Sequence, residues 1–250
     1  MRLRLALVSV LALALAGCAG GPDAREAQSL LERAQAEQSK IASAGYELEL
    51  SAGMLGQKFA FTVDGAAQLK GKHAGDLYFR VRASGPAAAL GPKGFDMWMA
   101  KRGSRVTMFM DGRRQSFDAT RAGAPNVDLV GSFGSLDFAS CVKSVQLEKG
   151  RSLNGEPATR VAGVVDTGCI LRAAAKMNGL SEAAGQPFDL GELAKKIADV
   201  RATLFVSDRS HLLIGAVVST KIEADGQRLD LQLSYRLTNV NRPLRFPRGL

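Results

Sequence analysis

From residue 45 onward the chain alternates apolar and polar positions, and a period of two marks strands with one face buried. In "GYELELSAG" Tyr46, Leu48 and Leu50 share one face while Glu47, Glu49 and Ser51 share the other. "QKFAFTVDG" places Phe59, Phe61 and Val63 together after a turn at residues 53–56, which predicts a hairpin. "DLYFRVRAS" repeats the pattern with Leu77, Phe79 and Val81. "FDMWMAKRGSRVTMFMDGRRQSF" reads as two further strands turning at residues 101–103. Asn154-Gly155, between "SVQLEKG" and "ATRVAGVVD", predicts another tight hairpin. Three more strands follow, "VRATLFVS", "LLIGAVVSTKIEA" and "QRLDLQLSYRLTNV", the last two joined through Asp225-Gly226. An antiparallel meander is the simplest arrangement for such a series.

Helical patterns interrupt the alternation. Residues 24–44, "AREAQSLLERAQAEQSKIASA", are strong helix formers with Leu30, Leu31, Ala34, Gln38 and Ile41 near one face. Asp23 is the expected N-cap and Gly45 the expected stop. "GCILRAAAKMNGL" and "DLGELAKKIA", the latter opening on Asp189, read as two more helices. "GAPNVDLVGSFGSLDFASC" carries turn chemistry and a short helix or two. The expected fold class is α+β, a curved antiparallel sheet covered by helices.

The expected apolar face is rich in adaptable side chains. Phe59, Phe61, Phe79, Met97, Met99, Met108 and Met110 alternate along successive strands. Methionine is flexible and polarizable, and surfaces that accept varied apolar partners use it. On a curved sheet these residues line the concave side, a space that side chains can fill or a ligand can occupy. Leu48, Leu50, Val81, Leu204, Leu231 and Leu233 complete the candidate ligand-binding set. Ordinary core packing is the competing reading for each of them.

The first residues follow a different logic. Arg2 and Arg4 precede an uncharged apolar stretch, Leu5 to Ala16, of the length of a secretory core and too short to span a bilayer. Leu15-Ala16-Gly17-Cys18 resembles the lipobox of bacterial lipoproteins. That resemblance implies that residues 1–17 are a signal peptide and that the Cys18 thiol carries a diacylglycerol. Acyl chains then anchor the protein to the extracytoplasmic face of the cell membrane. One chain alone binds marginally, whereas two hold stably. Residues 18–23 form the lipidated N-terminus and spacer, and residues 24–250 a single domain. A buried helix with an incidental cysteine is the competing reading.

Charge and cysteine usage fit that compartment. Thirty-three Lys and Arg against 24 Asp and Glu give a formal charge of +9. Such a balance favours anionic headgroups, although a solvated basic surface accounts for it equally well. Nucleic acid is not an expected partner, because the chain has no dense basic run with interleaved aromatics. With Cys18 assigned to lipid, Cys141 and Cys169 remain, and in an exported protein the simplest reading is a disulfide worth roughly 3 kcal/mol. A zinc site lacks further ligands, since only His73 and His211 could join, and both stand in turn-like sequence. No metal or cofactor is expected.

Catalytic patterns are missing as well. Two histidines in turns do not assemble a Ser-His-Asp arrangement, and "VGSFGS" is not a nucleophile elbow. No phosphate-cradling glycine loop occurs. An enzyme is therefore the third choice, and would need a cleft gathering His73 or His211 with acidic partners.

The order of elements resembles a known group. The lipobox, the spacer, the helix running into "KIASAGYELELSAG", the strand meander and the final "LSYRLTNVNRPLRFP" look like the LppX/LprG-type lipoproteins and their wider LolA/LolB-like superfamily. The resemblance implies a half-open β-barrel closed by helices that holds acyl chains and carries them between envelope sites. On that basis the chain is expected to bind a lipid or other hydrophobic ligand. The alternative is an envelope module that binds or senses another protein and holds no lipid.

Overall fold

The computed structural model describes residues 22–54, 57–85, 95–110, 112–118, 142–168, 197–224 and 227–247. Among these residues a helix, α1 (Pro22–Gln38), precedes a series of eleven strands. They are β1 (Ser43–Met54), β2 (Gln57–Gln68), β3 (Leu77–Ser84), β4 (Asp96–Arg102), β5 (Arg105–Met110) and β6 (Arg113–Asp118). Then come β7 (Val142–Leu153), β8 (Glu156–Val165), β9 (Ile197–Ser207), β10 (Leu213–Ala224) and β11 (Gln227–Thr238). All eleven form a single curved antiparallel sheet in the order β6-β5-β4-β3-β2-β1-β11-β10-β9-β8-β7. Among the described residues β6 and β7 are its two end strands, and the sheet is not closed on itself.

The expected strands are present and hydrogen-bonded to sequence neighbours, with β1 and β11 joining the two halves. Asn154 and Gly155 both adopt positive φ, 53° and 83°, as a two-residue hairpin turn with right-handed twist requires. Three expectations are corrected. The helix stops at Gln38, not at residue 44, and Gly45 lies inside β1. There it is no cap: a Cβ would meet Thr238 Oγ1 at 2.4 Å, so the glycine permits close pairing with β11. The segment after Lys101 contains two strands where one was expected, because "RRQSFD" pairs with β5 as β6 despite its polar composition. Ile197 and Ala198, expected at the end of a helix, pair with Ile222 and Lys221.

Several expectations lie outside the described residues. These are the leader, Cys18, Cys141, Cys169, the short helices before Cys141, the helix after Gly168, and "DLGELAKK". Among the described residues α1 is the helix that covers the sheet, and it contacts β7, β9 and β10. Ala27, Leu31 and Ala34 bury its apolar stripe, close to the expected one. Gln38 completes the docking: its Nε2 donates to Leu213 O and its Oε1 accepts from Leu213 N. The core beneath α1 continues through Val161, Leu204, Val206, Ile214 and Tyr235 to Tyr46 and Leu48.

Candidate functional site

Register decides which side chains share a face, since residues paired across strands point the same way. One row runs Leu204, Ala216, Tyr235, Leu48, Val63, Val81, Met97, Met110. The row on one side of it runs Leu237, Tyr46, Gly65, Phe79, Met99, Met108. On the other side lie Ala202, Val218, Leu233, Leu50, Phe61 and then Leu231, Ala52, Phe59. All thirteen candidate ligand-binding residues therefore stand on one continuous face, the face that α1 partly covers.

Burial divides that face. Leu48 and Leu204 belong to the hydrophobic core, with Phe79 and Leu233 packed against it. Leu50, Phe59, Phe61, Val81, Met97, Met99, Met108, Met110 and Leu231 lie outside that core and keep some exposure. Along β1 the change is steep: Tyr46 is 3% exposed, Leu48 9% and Leu50 43%. Met110, at the β5 end of the same row as Leu204, is 44% exposed against 0%. The apolar face is dry beneath α1 and opens toward the β1–β2 and β10–β11 hairpins and toward β6. Gly65 marks a point of close approach on it. A Cβ there would meet Tyr78 O at 2.3 Å and Phe79 Cα at 2.9 Å, so only glycine lets β2 and β3 lie this close.

The opposite face is polar. Arg80 grips Asp96 with two bonds, Nε to Oδ1 at 2.8 Å and Nη2 to Oδ2 at 2.5 Å, and lies over the Trp98 ring. The Arg80 hydrogen bonds hold the Asp96 carboxyl below its usual range. Arg82 pairs with Asp64 and Arg236 with Glu47. The tail after β11 is fastened across this side: Asn241 N donates to Ser43 O, and the Phe246 ring meets Tyr78 at a tilt of 52° beneath the Arg102 guanidinium. Near the two hairpins this side hollows into a cleft of about 430 Å³. Ser51, Gly53, Ser219 and Gln232 form its floor, and Lys58, Arg201 and Lys221 stand around it with Asp230.

No protein-family model matches the chain, and no curated protein matches it. Solved structures do. LprF from Mycobacterium bovis superposes with a TM-score of 0.52 at 15% identity, over 91% of this chain and 98% of that one. The chain shares its fold with LprF. The lipoprotein LppX of Mycobacterium tuberculosis gives 0.49 at 12% identity, over 88% of this chain and 97% of that one. A LolA superfamily protein from Nitrosomonas europaea gives 0.24 at 12% identity, over 88% and 94%. The resemblance expected from the order of elements thus holds as a structural one, carried by the likeness to LprF.

The basic cleft was not legible in the sequence. Lys58, Arg201 and Lys221 form no run and no motif, and only the pairing of β1 with β2 and β11, and of β10 with β9 and β11, gathers them. His73 and His211 are both in turns, as expected, and they are far apart in the sheet order. Among the described residues no group of three or more His, Cys, Asp or Glu could hold a metal ion. No described helix is long and apolar enough to cross a membrane.

Proposed function

We propose that this is an exported, lipid-anchored protein that holds the acyl chains of a lipid, or a similar hydrophobic ligand, against the open part of its apolar face. The observation that carries this reading is the fall in burial along one continuous apolar surface, from Leu204 and Leu48 to Leu50 and Met110. A purely structural core has no reason to leave methionines and phenylalanines half-covered in register across β2 to β5. Covering apolar surface gains about 25 cal/mol per Å², so an acyl chain laid there leaves the bilayer without meeting water. Methionine at four positions lets the surface adapt to chains of different shape.

In this reading residues 1–17 are removed, Cys18 carries the acyl anchor, and a short linker leads into α1. Residues from α1 onward form one domain, further helices complete the cover over the sheet, and Cys141 pairs with Cys169. No step of chemistry is assigned to the protein, and it needs no cofactor.

Native mass spectrometry of the mature chain with Cys18→Ser, purified from a bacterial envelope, tests the reading directly. One retained phospholipid or glycolipid per protein is the expected result. A chain that stays empty after incubation with envelope lipids overturns it and makes the open face a docking surface for another protein.

A further inference from the structure

Two features coincide at one end of the sheet. The apolar face opens where Leu50, Phe61, Leu231 and Phe59 approach the β1–β2 and β10–β11 hairpins, and the 430 Å³ cleft lies on the other side of the same strands. Ser51, in the cleft, follows Leu50 of the apolar face along β1, and Ala52 and Leu231 line the cleft as well, so the two sites adjoin. Lys58, Arg201 and Lys221 are all exposed, and among the described residues none of them has an ion pair. Asp230 is the one carboxylate among the residues lining the cleft, and three cations against it leave an excess of positive charge.

We infer that this hairpin end docks on an anionic phospholipid bilayer, with the Lys58, Arg201 and Lys221 cleft receiving a phosphate headgroup. The inference rests on the proposed lipid-holding role and adds where the ligand enters and leaves. The volume falls within the range of about 300–1,000 Å³ usual for small-molecule clefts. Small floor residues let a phosphate approach the backbone, while three long cations reach around it. Contact at this end of the strands, where both features meet, brings the open apolar face to the lipid surface, so a chain can pass without crossing water. Three other cations of the polar face, Arg80, Arg82 and Arg236, are held by Asp96, Asp64 and Glu47.

The test is vesicle co-sedimentation of the mature Cys18→Ser chain, using phosphatidylcholine vesicles with and without phosphatidylglycerol. The expected result is preference for the anionic vesicles, reduced on the order of 100-fold by K58Q/R201Q/K221Q, at about 5-fold per cation. R105Q/R113Q/R114Q removes the same charge from β5 and β6 and is expected to change binding less than about 3-fold if the cleft is specific. Equal losses for the two triple variants would overturn the cleft and leave only diffuse attraction, as would absence of any anionic preference. Competition by glycerol 3-phosphate without vesicle binding would reassign the cleft to a soluble phosphate. Lipid retention by native mass spectrometry is read in parallel. Docking lost with lipid retained supports the inference, whereas docking intact in a chain that never holds lipid overturns the holding role alone.

Discussion

Leu48 and Leu50 sit two positions apart on one face of one strand, yet one is in the core and the other is 43% exposed. The same contrast separates Leu204 from Met110, seven strands apart along one row of paired residues. Alternation is equally regular in both halves of the sheet. Among the described residues what differs is the neighbour on top: α1 packs chiefly on β7, β9 and β10 and not on β2 to β6. A period-two pattern specifies that a face avoids water. It does not specify whether the protein or a ligand does the covering.

Truncation should sharpen that difference most. Leu204→Ala is expected to cost about 2–5 kcal/mol, because a cavity opens where nothing can collapse. Met110→Ala, at an exposed position, should cost under about 0.5 kcal/mol. Denaturant unfolding of the two variants compares them, and equal losses would mean that the two halves are one core.

Glycine substitutions probe the same contrast at the backbone. Gly65→Ala forces a Cβ onto Tyr78 O and Phe79 and should cost about 1–3 kcal/mol. Gly53→Ala, at the open end, meets nothing within 4 Å and should leave the midpoint within error. A tolerated Gly65→Ala would remove the close approach of β2 and β3 from the account.

The tyrosines report on the dry part by titration. Burial raises the pKa of Tyr46 and Tyr235 in the dry part. Their folded pKa lies above the unfolded value near 10, so this contribution to stability is full below pH 10 and declines as the unfolded chain ionises above it. Absorbance titration should show these two ionising only with unfolding. Ordinary midpoints for all three tyrosines in the native protein would contradict a dry face.

The smallest effect belongs to the polar side. Asp96 has a lowered pKa from Arg80, so the pair contributes above the unfolded value near 4 and is lost as pH falls through the folded one. Its side chain is 43% exposed, which screens the pair to a few tenths of a kcal/mol. The stability gap between the protein and Asp96→Asn should therefore close in acid. A gap that persists below pH 3 would point to packing against Trp98 instead of charge.

Most strands were readable because their apolar positions repeat at two and their turns carry Asn-Gly or Asp-Gly. β6 was not, since "RRQSFD" has no apolar face and is a strand only by pairing with β5. Residues 39–44 look helical by propensity, yet Ser43 and Ala44 join the sheet because pairing with Gln68 and Ala67 outweighs a few tenths of a kcal/mol of helix preference. The thirteen candidate residues were legible as one face, and the three cations of the cleft were not.

By itself the sequence determined every strand but β6, the side each of their residues presents, the hairpin at Asn154-Gly155 and the amphipathic stripe of α1, because these depend on local geometry and on which side chains avoid water. The tertiary structure alone decided the order of strands, where α1 settles, how far the apolar face stays open and which distant cations meet. Those outcomes depend on contacts between residues far apart in the chain, and no local period encodes them.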